Sequence, residues 1–531
     1  MPISLEDLLR APLADTIGGD EELVVIENTT LKRKTAATLL QNMLAARFLT
    51  DANGNVTGLE APGGSGINLR LGVQTQNPKG LARFLAALST AEYQPVRIAC
   101  WGDSVTLGTY SNDSSIPVDS IADAQGYVGR LRTLMARKFG ANPAGFIPAN
   151  DSRNTLSGTG AVTASVGPVL NTVRTDNVTS LGGALPLPAA ATITIPVPAS
   201  TNIEILYMDS STNSTAGGVG TNTGTFSYAV DGGGATTTTV DNTNPINYKK
   251  ISLSGLSNAT HSLVLTGVSG TCYIIGINYH SNAGVIVSRF GLGGGTCLDL
   301  TGEGVVTHLS TGAAQRILGS VGPSAAPVII TGAVNSGSPI VTGISSTSGL
   351  VKGMPVGASA QLPLPCFVKS VDSSSQITLS ADATGTNAAR TMYVGAGTTI
   401  FADLWIIPIG HNDWQQQNSA YPTTVAVFTA QMQRIIDTLV AAGGCVLLVG
   451  EPRSNNAAPT PETYTADAYW DAIDALAAAN THVAAMRMDL RWGSFSDATT
   501  LGLLSSSGGV HPLKKGSAAM ARAIFDVLVA A

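Results

Sequence analysis

Three polar segments and one glycine run follow apolar stretches of this chain, and together they supply the groups that acyl transfer needs. Ser104 offers a hydroxyl, and His511 offers an imidazole that could take its proton. Asn412, a glycine of the run Gly291–Gly295 and the backbone N–H of Ser104 could donate hydrogen bonds to the oxyanion of a tetrahedral intermediate. These residues are far apart in sequence, so the fold has to bring them together.

Apolar strands alternate with amphipathic helices around these residues. This alternation predicts a parallel sheet with helices on both faces. In such a sheet functional residues gather beyond the carboxyl ends of the strands, where Ser104, Asn412 and the glycine run lie. The candidate strands are Arg97–Trp101, Gly284–Arg289, Leu404–Ile409, Cys445–Val449 and Val483–Asp489, and the candidate helices are Tyr127–Lys138, Thr423–Val440, Thr465–Ala479 and Lys515–Ala530.

Two all-β segments interrupt this α/β pattern. Residues 151–283 carry six candidate strands separated by turn residues, a pattern typical of an antiparallel β-sandwich. Residues 324–397 carry four more and predict a small β module. The six are Ala191–Val197, Asn202–Tyr207, Thr225–Val230, Ile251–Leu253, His261–Thr266 and Thr271–Tyr279, and the four are Pro327–Thr331, Pro339–Thr342, Phe367–Val371 and Gln376–Leu379.

The predicted organisation is therefore one α/β domain with two insertions, preceded by a separate module. The module has helical spacing at Leu5–Leu9 and Thr35–Leu44 around a strand at Glu22–Glu27. The predicted boundaries are 1–50 for the N-terminal module, 51–95 for a linker, 96–150, 284–323 and 398–531 for the three parts of the α/β domain, 151–283 for the sandwich and 324–397 for the β module.

The composition argues against several classes of function. A net charge of −6 gives no basic surface of the kind that binds nucleic acid. No apolar run reaches the ~18 residues of a membrane span, and Met1–Arg10 lacks the apolar core of a secretory signal. The five cysteines have no metal-ligand spacing. A small, odd number of scattered cysteines predicts reduced, mostly buried thiols in a protein that folds in a cytoplasm.

The four chemical segments resemble, in the same order, the motifs of the SGNH (GDSL-like) hydrolase family. The resemblance implies a flavodoxin-like sheet and a serine esterase that needs no metal or organic cofactor. It assigns Ser104 as the nucleophile, His511 as general base and then acid, and Gly294, Asn412 and the Ser104 N–H as the oxyanion hole. The segments are Gly102-Asp103-Ser104-Val105-Thr106-Leu107-Gly108, Gly291-Leu292-Gly293-Gly294-Gly295-Thr296, Gly410-His411-Asn412-Asp413 and Gly509-Val510-His511-Pro512.

One position departs from the family pattern. The family usually has an aspartate three residues before the histidine, and this chain has Gly508 there. Without that acid, another group must bind the second ring nitrogen of His511 and fix its tautomer. The candidates are the backbone carbonyl of Ser507 or Gly508 and the carboxylate of Asp497. We expect a Ser–His dyad, and the alternative is a site with impaired or lost activity.

The remaining polar residues have simpler interpretations. Asp103 is expected to hold its loop rather than to react, and His411 is expected to form a wall of the site. The glycine run lacks the lysine and the helix start of a phosphate-binding loop. The inserted sandwich is either a spacer or a surface that binds sugars on its tyrosines, and the sequence leaves both open. Those tyrosines are Tyr207, Tyr228, Tyr248 and Tyr279.

Two further segments resemble parts of bacteriophage tail proteins. Residues 13–35 resemble N-terminal segments of such proteins, and residues 337–379 resemble small β modules of phage fibres. We therefore expect a tail spike or tail fibre protein, synthesised in the host cytoplasm and located on the virion, whose N-terminal module contacts other tail proteins. Tail spikes are usually trimers, so a homotrimer is one candidate assembly, although the sequence shows no trimerisation stretch.

The expected function is the removal of O-acyl groups, chiefly O-acetyl, from a bacterial capsule or O-antigen polysaccharide. Gly508 favours the first alternative, a receptor-binding tail protein whose esterase domain is catalytically impaired. A second alternative is a free bacterial lipase or esterase, against which the absence of an export signal counts.

Overall fold

The computed structural model divides the chain into two compact units, Met1–Val73 and Gln74–Ala531. In the first unit it describes only five strands. In the second it describes residues 75–108, 125–140, 145–148, 155–156, 160–161, 163–165, 185–208, 224–240, 248–291, 295–301, 328–350, 354, 356–357, 361–362, 366, 368–394, 402–418, 422–456, 458–459, 461–506 and 509–530.

The first unit contains one hairpin and one three-stranded antiparallel sheet. In the hairpin β1 (Glu22–Glu27) pairs with β2 (Thr30–Thr35), and β1 coincides with the predicted strand. The second sheet has the order β3-β4-β5, with β3 at Arg47–Thr50, β4 at Val56–Glu60 and β5 at Gly66–Ile67. The helices predicted at Leu5–Leu9 and Thr35–Leu44 lie outside the described residues, apart from Thr35, which ends β2.

The second unit contains the remaining described elements. Its strands are β6 (Thr75–Gln76), β7 (Pro95–Gly102), β8 (Gly145–Pro148), β9 (Thr155–Leu156), β10 (Gly160–Ala161), β11 (Thr163–Ser165), β12 (Leu185–Pro188), β13 (Thr192–Met208), β14 (Thr225–Val230), β15 (Thr236–Thr239), β16 (Tyr248–Ser269), β17 (Thr271–His280), β18 (Gly284–Gly291), β19 (Val328–Val334), β20 (Ile340–Val341), β21 (Val356–Gly357), β22 (Val368–Ser373), β23 (Gln376–Leu379), β24 (Asn387–Val394), β25 (Leu404–Ile409), β26 (Cys445–Gly450) and β27 (Val483–Arg487). Its helices are α1 (Ala82–Leu88), α2 (Ser104–Leu107), α3 (Tyr127–Phe139), α4 (Cys297–Thr301), α5 (His411–Gln415), α6 (Val425–Ala441), α7 (Ala466–Ala479), α8 (Met488–Trp492), α9 (Phe495–Thr500) and α10 (Lys514–Ala530), and a 3₁₀ turn at Pro78–Leu81 precedes α1.

The central sheet of this unit has the order β18-β7-β25-β26-β27-β6. Its first five strands are parallel, and numbered along the chain they follow the order 2-1-3-4-5 of flavodoxin-like folds. Every residue of β18, β25, β26 and β27 is buried, which explains why these strands read as continuous apolar runs. The predicted fold class, a flavodoxin-like parallel sheet, is confirmed.

Helices cover both faces of this sheet. On one face Trp101 and Trp405 meet edge to face, with ring centroids 5.7 Å apart, and pack with residues of α6 and α7. On the opposite face the side chain of Cys100 contacts Tyr127 of α3, and α3 packs against α10. The predicted α/β layering therefore follows from alternate residues of each strand facing different helices.

The second half of the predicted linker 51–95, from residue 75 onward, is part of the α/β layers in the structure, whereas β4 and β5 belong to the first unit. β6 pairs antiparallel with β27 at the edge of the sheet. The side-chain nitrogen of Asn77 donates to the carbonyls of Ala477, Asn480 and Val483 at 2.9–3.0 Å. In α1 the side chain of Phe84 is fully buried. These contacts anchor residues 75–88 to the last strand and its helix.

Seven strands of the first insertion and β8, which precedes it, form one continuous antiparallel sheet, β12-β17-β13-β16-β14-β15 with β11 on β13 and β8 on β17. Two predicted strands, Ala191–Val197 and Asn202–Tyr207, merge into the 17-residue strand β13. Register shifts at Val197–Ser200 and Ser200–Asn202 mark where β13 changes its pairing with β16. One apolar cluster contributed by most of these strands fills its interior.

The second insertion has its own small core. Two three-stranded sheets, β19-β24-β21 and β20-β23-β22, enclose apolar residues that include Ile330, Val341 and Ile377. All four strands predicted here are present, and Gln376–Leu379 matches β23 residue for residue.

Candidate active site

The candidate nucleophile and the candidate amide donor follow the two strands that border the switch point of the sheet. β7 ends at Gly102, and Ser104 begins α2 two residues later. β25 ends at Ile409, and Asn412 lies in the first turn of α5. Strand order reverses between β7 and β25, and in open α/β sheets ligands bind in the crevice beyond such a pair.

A close approach of β7 and β25 shapes the turn that carries Ser104. A Cβ at Gly102 would lie 2.5 Å from the carbonyl oxygen of Pro408, so only glycine fits there. Asp103 then caps α2, because its Oδ1 accepts a hydrogen bond from the Val105 N–H at 2.8 Å. The capped turn leaves Ser104 half-buried rather than in the core.

Ser104 and His511 are in direct contact although 407 positions separate them in the sequence. The Ser104 Oγ lies 2.7 Å from the His511 Nε2, a distance at which the hydroxyl donates to a neutral imidazole. A bridge between Leu504 and Pro512 holds the loop of His511 just before α10. The structure therefore brings together the candidate nucleophile and the candidate base that the motifs paired.

Asn412 lies beside this pair and is fixed by two acceptors. Its Nδ2 donates to the Oδ2 of Asp103 at 2.7 Å and to the carbonyl oxygen of Gly295 at 3.1 Å. The two bonds link the ends of β7, β18 and β25 at one edge of the sheet. They also aim the amide group at the region between Ser104 and the glycine run.

The other two predicted oxyanion donors are backbone N–H groups, those of Ser104 and Gly294. Ser104 is the first residue of α2, so its N–H has no acceptor within the helix and can serve a ligand. Gly294 lies outside the described residues, and its role stays a prediction. Its neighbour Gly295 is described and touches Asn412.

The group that orients the second nitrogen of His511 is not Asp497. The Oδ2 of Asp497 accepts hydrogen bonds from the N–H and the Oγ of Ser494 at 3.0 and 2.7 Å, in a capping box at the start of α9. This candidate is therefore committed to its own helix. The carbonyls of Ser507 and Gly508 lie outside the described residues.

His411 is a buried wall of the site, as its variable position in the motif predicted. Its Nε2 accepts a hydrogen bond from the Asn456 Nδ2 at 2.8 Å, and its ring packs against Trp414. Burial and, to a smaller extent, the nearby His511 lower the pKa of His411 to about 4. The ring is therefore neutral at physiological pH, and its Nε2 is occupied, so it is a poor candidate for the general base.

Three carboxyl groups are buried directly beneath these residues. Asp103 is 1% exposed, and Asp413 and Glu451 are fully buried. Burial raises the pKa of Asp103 and of Asp413 to about 7 and raises the pKa of Glu451 well above its ordinary value. Asp413 accepts the N–H of Cys297 at 2.9 Å, which ties α5 to α4. Asp103 is structural, as predicted, and it acts on Asn412.

The loop after β26 contributes residues that the motifs do not reveal. The Oε2 of Glu451 accepts the His411 N–H at 2.9 Å. Asn456 binds His411, and a Cβ at Gly509 would lie 3.0 Å from the Oδ1 of Asn456. Asn455 donates to the carbonyl of Ser506 at 3.1 Å. One sequence signal could have pointed to this loop: Glu451 directly follows a buried strand, and that strand ends at the same edge of the sheet.

The described ranges contain no group of three His, Cys, Asp or Glu side chains that could hold a metal ion. The five cysteines are free and buried, in agreement with the prediction of buried thiols. Burial raises the pKa of the Cys100 thiol to about 12. None of the helices in the described part of the chain combines the length and apolarity needed to cross a bilayer.

Two of the four tyrosines that the sequence left open as a stacking surface are buried in the core of the inserted sheet. Tyr207 and Tyr279 belong to the core of the sheet and are 5% and 3% exposed. Tyr228 packs partly buried against the same core. The side chain of Tyr248 lies outside the described residues. Tyr207 and Tyr279 are therefore unavailable to a sugar.

The fold and the site together define an α/β protein that holds a serine–histidine pair at the switch point of a flavodoxin-like sheet. No protein-family model matches the sequence, and no curated protein matches it. Among solved structures, a peptidoglycan O-acetylesterase is similar over 86% of this chain and 97% of its own, at 12% identity and a TM-score of 0.48. A family two carbohydrate esterase from Cellvibrio japonicus is similar over 73% of this chain and 99% of its own, at 11% identity and a TM-score of 0.19. At these identities the function proposed below rests on the contacts of this chain's own site.

Proposed function

We propose that this chain is a serine esterase of the SGNH class that removes O-acetyl groups from a bacterial surface polysaccharide. The observation that carries the proposal is the 2.7 Å contact between the Ser104 Oγ and the His511 Nε2, with the amide of Asn412 beside it. This arrangement contains a nucleophile, its base and an oxyanion donor at one edge of a sheet, which is what acyl transfer requires.

The reaction proceeds in two halves on these residues. In the first half His511 takes the Ser104 proton while the Oγ attacks the acetyl carbonyl carbon, and Asn412 and the Ser104 N–H stabilise the oxyanion. The intermediate collapses as His511 gives its proton to the departing sugar oxygen, which leaves acetyl-Ser104. In the second half His511 deprotonates a water, the water attacks the acetyl group, and acetate and free Ser104 are released.

The substitution Ser104→Ala tests this proposal, because it removes the nucleophile and leaves the Asp103 cap in place. We expect acetate release from O-acetylated capsule, O-antigen and peptidoglycan to fall by at least about a thousandfold, with an unchanged unfolding midpoint. The matched control is Ser89→Ala, an exposed serine at the end of α1, which should leave the rate unchanged. A Ser104→Ala protein that still released acetate at the wild-type rate would exclude Ser104 as the nucleophile.

Covalent labelling separates this function from that of an inactive receptor-binding protein. A fluorophosphonate reacts only with an activated serine, so it should label the wild type and not the Ser104→Ala or His511→Ala variants. A wild type that remains unlabelled but binds the polysaccharide would support the receptor-binding alternative. We further propose, from the phage-like segments alone, that the protein acts on a virion, and labelling of purified virions with the same reagent tests this.

A further inference from the structure

The three buried carboxyl groups beneath the site pose an electrostatic problem. In the described part of the chain, Asp103, Asp413 and Glu451 accept hydrogen bonds from backbone N–H groups, the Asn412 amide and the Cys297 thiol, and none of them is paired with a lysine or an arginine. Three unpaired charges so close together in a dry environment would cost several kcal/mol each. At least one of these groups must therefore hold a proton.

The hydrogen bonds indicate that Asp103 is charged and that Glu451 is the acid. Both oxygens of Asp103 accept from N–H donors, Oδ1 from Val105 at 2.8 Å and Oδ2 from Asn412 at 2.7 Å. The Oε2 of Glu451 accepts from the His411 N–H at 2.9 Å, whereas its buried Oε1 has no donor among the described residues. An oxygen in that position is satisfied if it carries a hydrogen and donates it.

An acceptor for that hydrogen is at hand, because the carboxyl groups of Glu451 and Asp103 lie within hydrogen-bonding reach of each other. We infer that Glu451 is a positioning residue in the neutral acid form, whose O–H donates to the Asp103 carboxylate so that the pair holds Asn412 and the His411 backbone in place. The pair then carries one negative charge over four oxygens. The inference deepens the proposed function, on which its kinetic tests rest.

The direction of the pKa shifts agrees with this assignment. Burial raises the pKa of Asp103 to about 7, and burial together with the Asp103 charge raises the pKa of Glu451 further. Glu451 therefore keeps its proton at a pH where Asp103 has lost its own. The other titratable groups that face the pair are Asp413, a further acid with a pKa of about 7, and His411, which is neutral.

Two isosteric substitutions distinguish which carboxyl holds the proton. Glu451→Gln keeps a donor toward Asp103 and an acceptor for the His411 N–H, so kcat should stay within about threefold of wild type. Asp103→Asn instead turns an N–H toward the Asn412 amide or the Val105 N–H, so kcat should fall by about tenfold to a hundredfold. KM should change little in either variant, because neither side chain contacts the substrate. Glu462→Gln, which removes an exposed charge that accepts from Trp414, is the control.

The reverse pattern, with Glu451→Gln impaired and Asp103→Asn active, would place the proton on Asp103 and overturn the inference. Glu451→Ala should lower kcat by about tenfold to a hundredfold, because it removes both the donor and the packing that Gln keeps. If Glu451→Ala does not fold, the comparison of the two isosteric variants still decides the question.

Infrared spectroscopy tests the protonation of Glu451 without measuring enzyme activity. At pH 8 the wild type should show the C=O stretch of a protonated carboxylic acid, and the Glu451→Gln protein should lack it. If this band is present but no acetate is released and no serine is labelled, the proposed function fails while the proton assignment stands. If acetate is released but the band is the same in both proteins, the assignment fails while the esterase function stands.

Discussion

The amide of Asn412 has two hydrogens, and both are engaged in the substrate-free site. The bond to Asp103 is short at 2.7 Å and is made to a charged acceptor, whereas the bond to the Gly295 carbonyl is 3.1 Å long. An arriving oxyanion must take one of these hydrogens, and the weaker bond to Gly295 is the one it can replace. Asp103 then remains as the anchor that keeps the amide aimed during the reaction.

Substitution of Asn412 by alanine tests this role at the scale of one residue. The loss of one oxyanion donor typically lowers kcat by about a hundredfold to a thousandfold, and KM should change little because the interaction strengthens only in the transition state. The measurement is acetate release under saturating substrate, with Asn418→Ala, a control on the exposed segment after α5, expected at the wild-type rate. An unchanged kcat in the Asn412→Ala protein would exclude Asn412 as an oxyanion donor.

Sequence motifs identified the candidate reacting groups but not the residues that hold them in place. Ser104, Asn412 and His511 were found because hydroxyl, amide and imidazole groups at strand ends have few structural uses in combination. Glu451 and Asn456 act only through contacts with His411 and Asp103. Those contacts depend on the path of the loop after β26, and no local pattern encodes that path. The sequence shows Gly508 where the family has an aspartate, but it does not show which group takes the place of that acid.

At the scale of elements, apolar runs and helical spacing predicted the α/β layers to within a few residues. The strand Leu404–Ile409 is present as predicted, and Thr424, within the predicted helix Thr423–Val440, caps α6. The merging of two strands into β13 was not predictable, because the polar residues at Ser200 to Asn202 read as a turn. In the structure they form an irregularity at which the sheet changes register without a break. β6 was not predicted, because a strand of two residues is too short to show a periodic pattern in the sequence.

His261 stabilises that irregular region through a charge. Its Nδ1 lies 2.7 Å from the Oδ2 of Asp231, and its Nε2 lies 3.0 and 2.9 Å from the carbonyls of Ser200 and Ser257. Both ring nitrogens face acceptors, so both must carry hydrogens. Burial alone would lower the pKa of His261, but the hydrogen bonds to Asp231 and the two carbonyls outweigh it and raise the pKa. The imidazolium thus joins β13, β16 and the turn between β14 and β15.

A pH-dependent stability of the inserted sheet follows from this contact. Because the pKa of His261 is higher in the folded state, its contribution is complete below the unfolded pKa of about 6.5 and is lost as the pH rises through the folded pKa. Asp231→Asn should therefore lower the free energy of unfolding by about 1 kcal/mol at pH 5.5, a value reduced by the exposure of Asp231, and by less at pH 9. Urea unfolding at both pH values, with the exposed Asp382→Asn as control, measures the difference. Equal losses at both pH values would show that the ring is not charged.

At the scale of the whole molecule, the first insertion is built into the α/β unit rather than tethered to it. β13 and β17 bury both of their faces near the segment where β17 pairs with β8. Ile205 and Ile277 face the interior of the inserted sheet, whereas Leu206, Tyr273 and Ile275 pack into the α/β core with Phe146 and Phe290. The composition of residues 151–283 predicted a separate module. The face that packs on the α/β core has the same residue types as the module's own core, so the sequence could not distinguish the two. The second insertion keeps its apolar residues in a cluster of its own.

The substitution Leu206→Ala tests whether the first insertion and the α/β core unfold together. Leu206→Ala removes buried methyl groups from the shared core and should lower the free energy of unfolding by about 2–5 kcal/mol. Because the shared core continues to Trp101 and Phe290 next to the strand ends that carry the site, fluorophosphonate labelling and the far-UV circular-dichroism signal of unfolding should move to lower urea concentration together. Ile344→Ala is the matched control: it makes a cavity of similar size in the core of the second insertion and should leave the labelling midpoint unchanged. If Leu206→Ala shifted part of the circular-dichroism transition and left the labelling midpoint unchanged, the first insertion would be an independent folding unit that does not stabilise the serine–histidine site.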